Sequence, residues 1–382
     1  MTILVIDCES TIHEKGNPFS RSNKLCCVGT YDGAVYTYYD IEHSLRPYGE
    51  TLNRLAQQIE RAGLLVGHNT KFDLNWIRRY IPNLKVNRVW DTQLFEYMDS
   101  KQTWTMPSLE DCATKWSLPA KGDLATEYWD KGIDTTGIPA NTLLDYNRQD
   151  CLTTHSLYVI QKERLKPEQA SLFYLHCDDL LVLQEMEFNG IMLDLKKNEE
   201  ERKKTEVEYK QVLTDLQEFD PHGIVNWNSD DHLSVVLYGG TIAYRAREVV
   251  TKTYKKGPKQ VERWGTANQE YPRLVEPIDG TARAKEGLFF VNEDVIRTLR
   301  PKDERGKRLL GLLRRSSDLN KLLTTYYVGL PKLAERMDWE PGVLHGSFNQ
   351  SVTKTGRSSC SKPNQQNFDG RIKELFVSRY AD

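Results

Sequence analysis

The chain has 382 residues, 39% of them hydrophobic and 28% charged, with seven cysteines and a formal net charge of −2. This composition fits two or three globular domains, is too apolar for a disordered chain, and offers no apolar run near the ~20 residues that cross a membrane. The odd set of cysteines has no C-x-x-C spacing and the N-terminus has no basic leader, so a disulfide framework, a thiolate zinc site and secretion are not expected, and a reducing cytoplasm is.

The small net charge hides an asymmetry. Residues 241–382 carry 27 Lys+Arg against 17 Asp+Glu. An acidic front and a basic back suit a chain that holds cations in its first part and phosphates in its second.

Residues 2–7 read as a short buried strand, apolar and β-branched. Residues 25–31 and 35–39 read as two more, joined by Asp32-Gly33, the dipeptide of a tight type I′ hairpin. Leu52, Leu55, Ile59 and Ala62 mark one face of a helix that Gly63 ends, and Leu64-Leu65-Val66-Gly67 is a further buried strand. A helix from about Phe72 and a strand over 86–90 follow. This order predicts a mixed sheet covered by helices. Residues 143–162 form a long amphipathic helix, with Leu144, Cys151, Leu152 and Val159 on its apolar face. Lys166-Pro167 marks a boundary. Beyond it helices cover 172–187 and, after an Asp194 cap, extend to about Phe219. Residues 241–287, rich in Lys, Gly, Pro and Thr, read as extended hairpins or loops, and 309–337 returns to helix. The tail from Pro341 is loop-rich.

The chemistry lies in carboxylates. Asp7 and Glu9 end the first strand, two residues apart and therefore on one face. Asp73 follows the second buried strand in His68-Asn69-Thr70-Lys71-Phe72-Asp73. Tyr146 and Asp150 stand at i and i+4 of the long helix, about 6 Å apart along its axis. Four carboxylates from three segments can meet at the carboxyl edge of one sheet. A set of hard oxygen ligands suits Mg²⁺ or Mn²⁺ rather than zinc, and two such ions about 3.5–4 Å apart clamp an in-line attack on a phosphodiester.

Asp7-x-Glu9, Asp73 and Tyr146-x-x-x-Asp150, in this order, resemble the tyrosine subtype of the DEDD 3′→5′ proofreading exonucleases, over roughly residues 1–165. The resemblance implies an α/β RNase H-like fold, two divalent ions held by Asp7, Glu9, Asp73 and Asp150, an attacking water oriented by Tyr146, and a terminal nucleotide near Asn69.

The second half resembles family A DNA polymerases, those of phages especially. Leu183–Ile191 is similar to the helix that opens the polymerase domain, and Val225-Asn226-Trp227-Asn228-Ser229 to the base of the thumb. Thr353-Lys354-Thr355-Gly356-Arg357-Ser358-Ser359 with Pro363-Asn364-Gln365-Gln366-Asn367 is similar to the palm signature. That signature implies DNA contacts by Thr355, Arg357, Ser359, Asn364, Gln366 and Asn367; a Gly-Arg turn lets backbone and a planar guanidinium approach phosphate. Glu374–Arg379 resembles the run-up to the first palm carboxylate, and Asp382 lacks that motif's context.

The expected organisation is an exonuclease domain at 1–165, a linker helix, thumb and Lys-rich insertion at 166–340, and an incomplete α+β palm segment at 341–382. The expected function is the proofreading, DNA-binding N-terminal subunit of a split polymerase. Its partners would be a single-stranded 3′ end, a primer-template, a separate C-terminal chain carrying fingers and the rest of the palm, and a processivity factor docked at 241–287; no membrane is involved. A truncated chain and a protein-splicing precursor account for the same ending. Two other readings are a DNA-holding scaffold with little activity of its own and a stand-alone RNA-trimming exonuclease. A phage origin would place the protein in the host cytoplasm.

Overall fold

The computed structural model describes residues 2–43, 49–119, 125–254, 256–278, 280, 283 and 287–380. Asp382 and residues 255, 279, 281–282 and 284–286 of the Lys-rich segment lie outside them. The chain forms two compact units: Met1–Leu195 with Leu330–Asp382, and Lys196–Gly329.

The first unit is built on a five-stranded sheet. Its strands are β1 (Ile3–Ser10), β2 (Leu25–Tyr31), β3 (Tyr36–Asp40), β4 (Leu64–Gly67) and β5 (Val89–Asp91), in the spatial order β3-β2-β1-β4-β5. β3, β2 and β1 are antiparallel, whereas β1, β4 and β5 are parallel, so the sheet is mixed as expected. Where they pair in parallel, Ile3–Val5, Leu64–Val66 and Val89-Trp90 are apolar, as strands covered on both faces are. Covering them are α1 (Gly49–Arg61), α2 (Thr70–Tyr80), α3 (Thr92–Asp99) and short helices α4 (Leu109–Lys115) and α5 (Thr126–Asp130), followed by the long α6 (Ala140–Arg164) and α7 (Pro167–Asn189). Val5, Ile6, Leu65, Val66, Trp76 and Trp90 centre the core.

Two local expectations need correction. The β2–β3 turn is not a two-residue type I′ turn. The ladder runs to Tyr31 and Tyr36, and one further backbone bond, from the Asp32 amide to the Val35 carbonyl at 3.3 Å, closes the loop around Gly33 and Ala34. Of the connecting residues only Gly33 has positive φ, at 98°. The Asp32 carboxylate accepts from the Ala34 and Val35 amides at 2.9 and 2.7 Å, and this side-chain turn takes the place of the tight one. On α6, Val159 is exposed and Leu144 half-buried. The inward face instead runs through Leu143, Asn147, Asp150, Cys151, Thr154, Leu157 and Gln161. Apolar counting misplaces it because half of that face is polar.

After α7, β6 (Ile191–Leu193) joins a three-stranded sheet made with two later strands. The second unit holds α8 (Leu195–Leu216, all but its first residue), α9 (Asp230–Tyr238), a hairpin of β7 (Gly240–Tyr254) and β8 (Gly257–Tyr271), α10 (Glu293–Thr298), α11 (Glu304–Lys321) and a π-helical turn at Leu322–Tyr327. Its own core joins Leu216, Phe219, Val236, Leu237, Val275, Leu309 and Leu313. The chain re-enters the first unit through α12 (Gly329–Arg336), β9 (Val343–Leu344), β10 (Ser347–Asn349), β11 (Ser359–Ser361), α13 (Gly370–Lys373) and β12 (Phe376–Val377). The three-stranded sheet has the order β12-β6-β9, and β10 pairs β11. Among the described residues no helix is long and apolar enough to cross a membrane.

Candidate active site

Among the described residues one group of metal-ligating side chains stands out. Carboxylate oxygens of Asp7, Glu9 and Asp150 all lie within 4.8 Å of one another. The strand period puts Asp7 and Glu9 on one face of β1, and α6 crosses that face with Asp150 pointing inward, 5% exposed.

Asn147, one turn before Asp150, fixes the geometry. Its amide donates to Asp7 Oδ2 at 2.8 Å and to the Asp7 carbonyl at 3.1 Å, and its Oδ1 accepts from the Tyr36 hydroxyl at 2.8 Å. The close approach of α6 to the sheet is permitted by Gly29, which pairs with Asp7 across β1 and β2. A Cβ on Gly29 would fall 1.7 Å from Asn147 Oδ1. Neither residue was singled out by sequence reasoning; the available signal was that Asn147 shares the face of Asp150 at i, i+3.

Asp73 is placed beside this group and outside it. Parallel pairing of β1 with β4 ends at Val5. Past that point the edge of β1 is open, and Asp73 Oδ1 accepts from the Cys8 amide at 3.1 Å. Burial and the nearby charge of Asp7 push the Asp73 carboxyl well above the usual range, against the opposing Cys8 hydrogen bond. Asp91 holds the start of α2 in place: its carboxylate accepts from the Thr70 amide at 2.7 Å and caps α3 through the Leu94 amide at 2.8 Å. Exposed Asn69 precedes α2 in the left-handed conformation, with φ at 61°.

The Tyr146 ring meets Trp129 of α5 edge-on, with centroids 5.4 Å apart. The segment after α5 is fastened to the end of β1. Thr135 Oγ1 donates to the Ser10 carbonyl at 2.6 Å and accepts from Trp129 Nε1 at 3.1 Å. Thr135 is another positioning residue that carries no sequence signal.

The palm-like tail residues do not join the carboxylates. Thr355, Arg357, Asn364, Gln366 and Asn367 are exposed, and Ser359 is half-buried on β11. Their loop is nevertheless secured to the first unit. The Tyr97 hydroxyl of α3 donates to the Thr353 carbonyl at 2.6 Å, and Thr353 Oγ1 donates to the Arg357 carbonyl at 2.6 Å. Gly356 turns this loop with φ at 72°. Lys71, two residues before Asp73, forms a buried ion pair at 2.6 Å with Glu187 of α7 and also donates to the Phe348 carbonyl. Glu187 further accepts from the Phe348 amide at 2.6 Å and from Asn75 at 3.0 Å.

A donor set of carboxylate oxygens with no imidazole or thiolate in it fits hard divalent ions, Mg²⁺ or Mn²⁺. Asp7, Glu9 and Asp150 are the residues that would hold them, with Asp73 adjacent.

Comparison with known proteins agrees with this geometry. Residues 3–166 match the 3′–5′ exonuclease family and residues 257–381 match DNA polymerase family A. The chain is 24% identical over 402 aligned residues to the DNA polymerase of Bacillus phage SP01, covering 96% of this chain and 42% of that protein. It is 29% identical over 236 residues to the thermostable DNA polymerase I of Thermus thermophilus, covering 59% of this chain and 23% of that one. The chain thus spans less than half the length of these curated relatives. In fold it is similar to the polymerase domain of Pol1 from M. smegmatis, solved with DNA primer-template and dNTP. The TM-score is 0.63 and the identity 16%, over 98% of this chain and 54% of the other.

Proposed function

We propose that the chain is a family A DNA polymerase segment with a 3′–5′ exonuclease domain in its first part, and that residues 3–166 hydrolyse 3′-terminal phosphodiesters of DNA. The observation that carries this reading is the convergence of the Asp7, Glu9 and Asp150 oxygens within 4.8 Å at the sheet edge. Two divalent ions, when bound, would supply Lewis-acid stabilisation of the charge that develops on the phosphodiester. Asn147 holds the Asp7 carboxylate in one orientation, so that little reorganisation is needed on binding. The Tyr146 hydroxyl, on the same helix face as Asp150, orients the attacking water. Asn69 meets the terminal nucleotide. This is the tyrosine-subtype DEDD assignment, with Asp73 completing the set.

On the same footing, residues 166–340 act as linker and thumb and 341–382 as part of the palm. Thr355, Arg357, Ser359, Asn364, Gln366 and Asn367 contact primer or template from exposed positions. Nucleotidyl transfer is assigned to a further polymerase section, on a separate chain in the split-subunit reading. The described residues hold a single carboxylate cluster, which the exonuclease uses. The cytoplasm is the compartment this reading implies.

The test uses purified chain and 3′-terminated single-stranded DNA, with Mg²⁺, Mn²⁺ or EDTA, alongside matched RNA and a primed template with dNTPs. Metal-dependent shortening of DNA from the 3′ end, lost by at least about a thousandfold in Asp7→Asn, supports the proposal. Digestion of RNA alone would replace the DNA reading. Full activity in EDTA or in Asp7→Asn would overturn the metal assignment. Primer extension by this chain would refute the split-subunit reading.

A further inference from the structure

The β7–β8 hairpin has no place in the exonuclease reading. Its two strands pair without a break over 15 residues each, from Gly240 with Tyr271 to Tyr254 with Gly257. That is a ribbon about 50 Å long. Among the described residues only its base is packed. Ile242 and Tyr271 enter the core of the second unit, and Tyr244 stacks on His222 with centroids 5.6 Å apart. Beyond that the ribbon is exposed or half-buried on both faces. A two-stranded ribbon with no third strand or helix on it is marginal in water, so its length calls for a contact.

Charge says what kind. Residues 240–271 carry seven Lys+Arg against three Asp+Glu, and 251–261 carry four lysines and no acid. The acids are placed away from the tip. Glu262 pairs with Arg247 at 3.5 Å and Glu248 with Arg263 at 2.6 Å, both in the middle of the ribbon. Lys252, Lys256 and Lys259 at the tip are exposed. The ribbon's large exposed apolar side chains are Val249, Tyr254 and Trp264, and the Arg247 guanidinium lies over the Trp264 ring, 5.4 Å from its centroid. Three scattered side chains do not make the apolar patch of a protein interface. Arginines and lysines along the strands also discourage addition of a protein strand to the ribbon edges. A basic two-stranded ribbon does match the width of a duplex major groove and the charge of its walls.

We propose that the β7–β8 ribbon is a duplex-binding arm, in which Lys252, Lys256 and Lys259 contact the phosphate backbone without reading sequence. The site lies in the second unit and shares no residue with the exonuclease carboxylates. It deepens the family A reading by giving the chain a duplex contact of its own.

The test is fluorescence anisotropy of a labelled random-sequence DNA duplex with the full chain, in EDTA, titrated from 50 to 300 mM salt. The comparison is wild type against the triple variant K252Q/K256Q/K259Q. Removing three phosphate contacts lowers the slope of log affinity against log salt by about 2.7 and weakens binding at least about tenfold near 100 mM salt. Single-strand digestion by the triple variant in Mg²⁺ stays at the wild-type rate. An unchanged slope and affinity overturns the proposal. The binding comparison needs no nuclease activity, so a failed digestion assay would count against the exonuclease reading alone.

Discussion

Glu187→Met should be among the most damaging single substitutions in the first unit. Glu187 is 4% exposed and accepts from the Lys71 ammonium at 2.6 Å, the Phe348 amide at 2.6 Å and the Asn75 amide at 3.0 Å. Its loss leaves Lys71, whose side chain is 12% exposed, as a nearly buried charge with the Phe348 carbonyl as its remaining recorded partner. Breaking a buried pair from one side costs about 3–5 kcal/mol. For a unit of roughly 250 residues that corresponds to a melting temperature lower by about 6–20 °C. Urea and thermal unfolding of Glu187→Met, Lys71→Met and the double variant give the cycle. The double variant should be much less destabilised than the sum of the singles, since it removes the orphaned charge. A cost below about 1 kcal/mol for Glu187→Met, or strict additivity, would show that the pair does not fasten the tail to α2 and α7.

Three further outcomes are expected. Burial holds the His345 imidazole down at about 4, with the Arg379 charge acting in the same sense and the Glu187 carbonyl opposing, while its ring stacks on Phe19 at 4.1 Å. The folded state therefore disfavours protonation: the stability is fully present above the unfolded value near 6.5 and falls as the pH drops from there to about 4. The loss is of order 3 kcal/mol, and a His345→Gln variant with the same pH slope in urea unfolding between pH 7 and 4.5 would refute it. Mg²⁺ at a hundred times its dissociation constant should stabilise the first unit by about 2.7 kcal/mol in thermal shift, and Asp7→Asn should abolish the effect; an equal shift in the variant would place the ion elsewhere. Tyr146→Phe should slow 3′ digestion by up to about a hundredfold while keeping the Mg²⁺ shift, and an unchanged rate would remove the hydroxyl from the chemistry.

The parts of the fold that were legible in the sequence are those set by local pattern. β2 and β4 match their expected bounds, and α7 ends as expected before Gly190, whose φ is 60°, although it starts at Pro167, five residues before the expected start, because proline is at home in a first helical turn. The extended reading of 241–287 was right in kind, but nothing in short alternating segments foretells 15 unbroken pairs. What stayed hidden depends on distant partners. The inward face of α6 is misread because polar residues lie on it: Asn147 and Gln161 are buried with their hydrogen bonds made, and Asp150 is buried beside the Asp7 and Glu9 carboxylates. Gln161, for example, donates to the Thr92 carbonyl and the Glu96 carboxylate and accepts from Trp90. Likewise the tail reads as a separate palm segment, yet Phe348, Thr353 and His345 are bonded to α2, α3 and α7 across more than 150 residues of sequence.

The candidate site shows the same division between chemistry and placement. Asp7, Glu9 and Asp150 announce themselves, because carboxylates gathered at a strand end and on one helix face have few uses. What brings them within 4.8 Å of one another is the approach of α6 to β2, and that approach passes over Gly29. Any side chain there meets Asn147, which would have to give up its bond to Asp7 or push the helix outward. Moving α6 moves Asp150 and Tyr146 together, since one rigid helix carries both. A residue with no functional group therefore governs the distance between the two elements that carry the clustered carboxylates. The open edge of β1 beyond Val5 governs Asp73 in the same way, by offering it the Cys8 amide. The constellation is specified as much by where the sheet lacks a side chain and a strand partner as by the acids themselves.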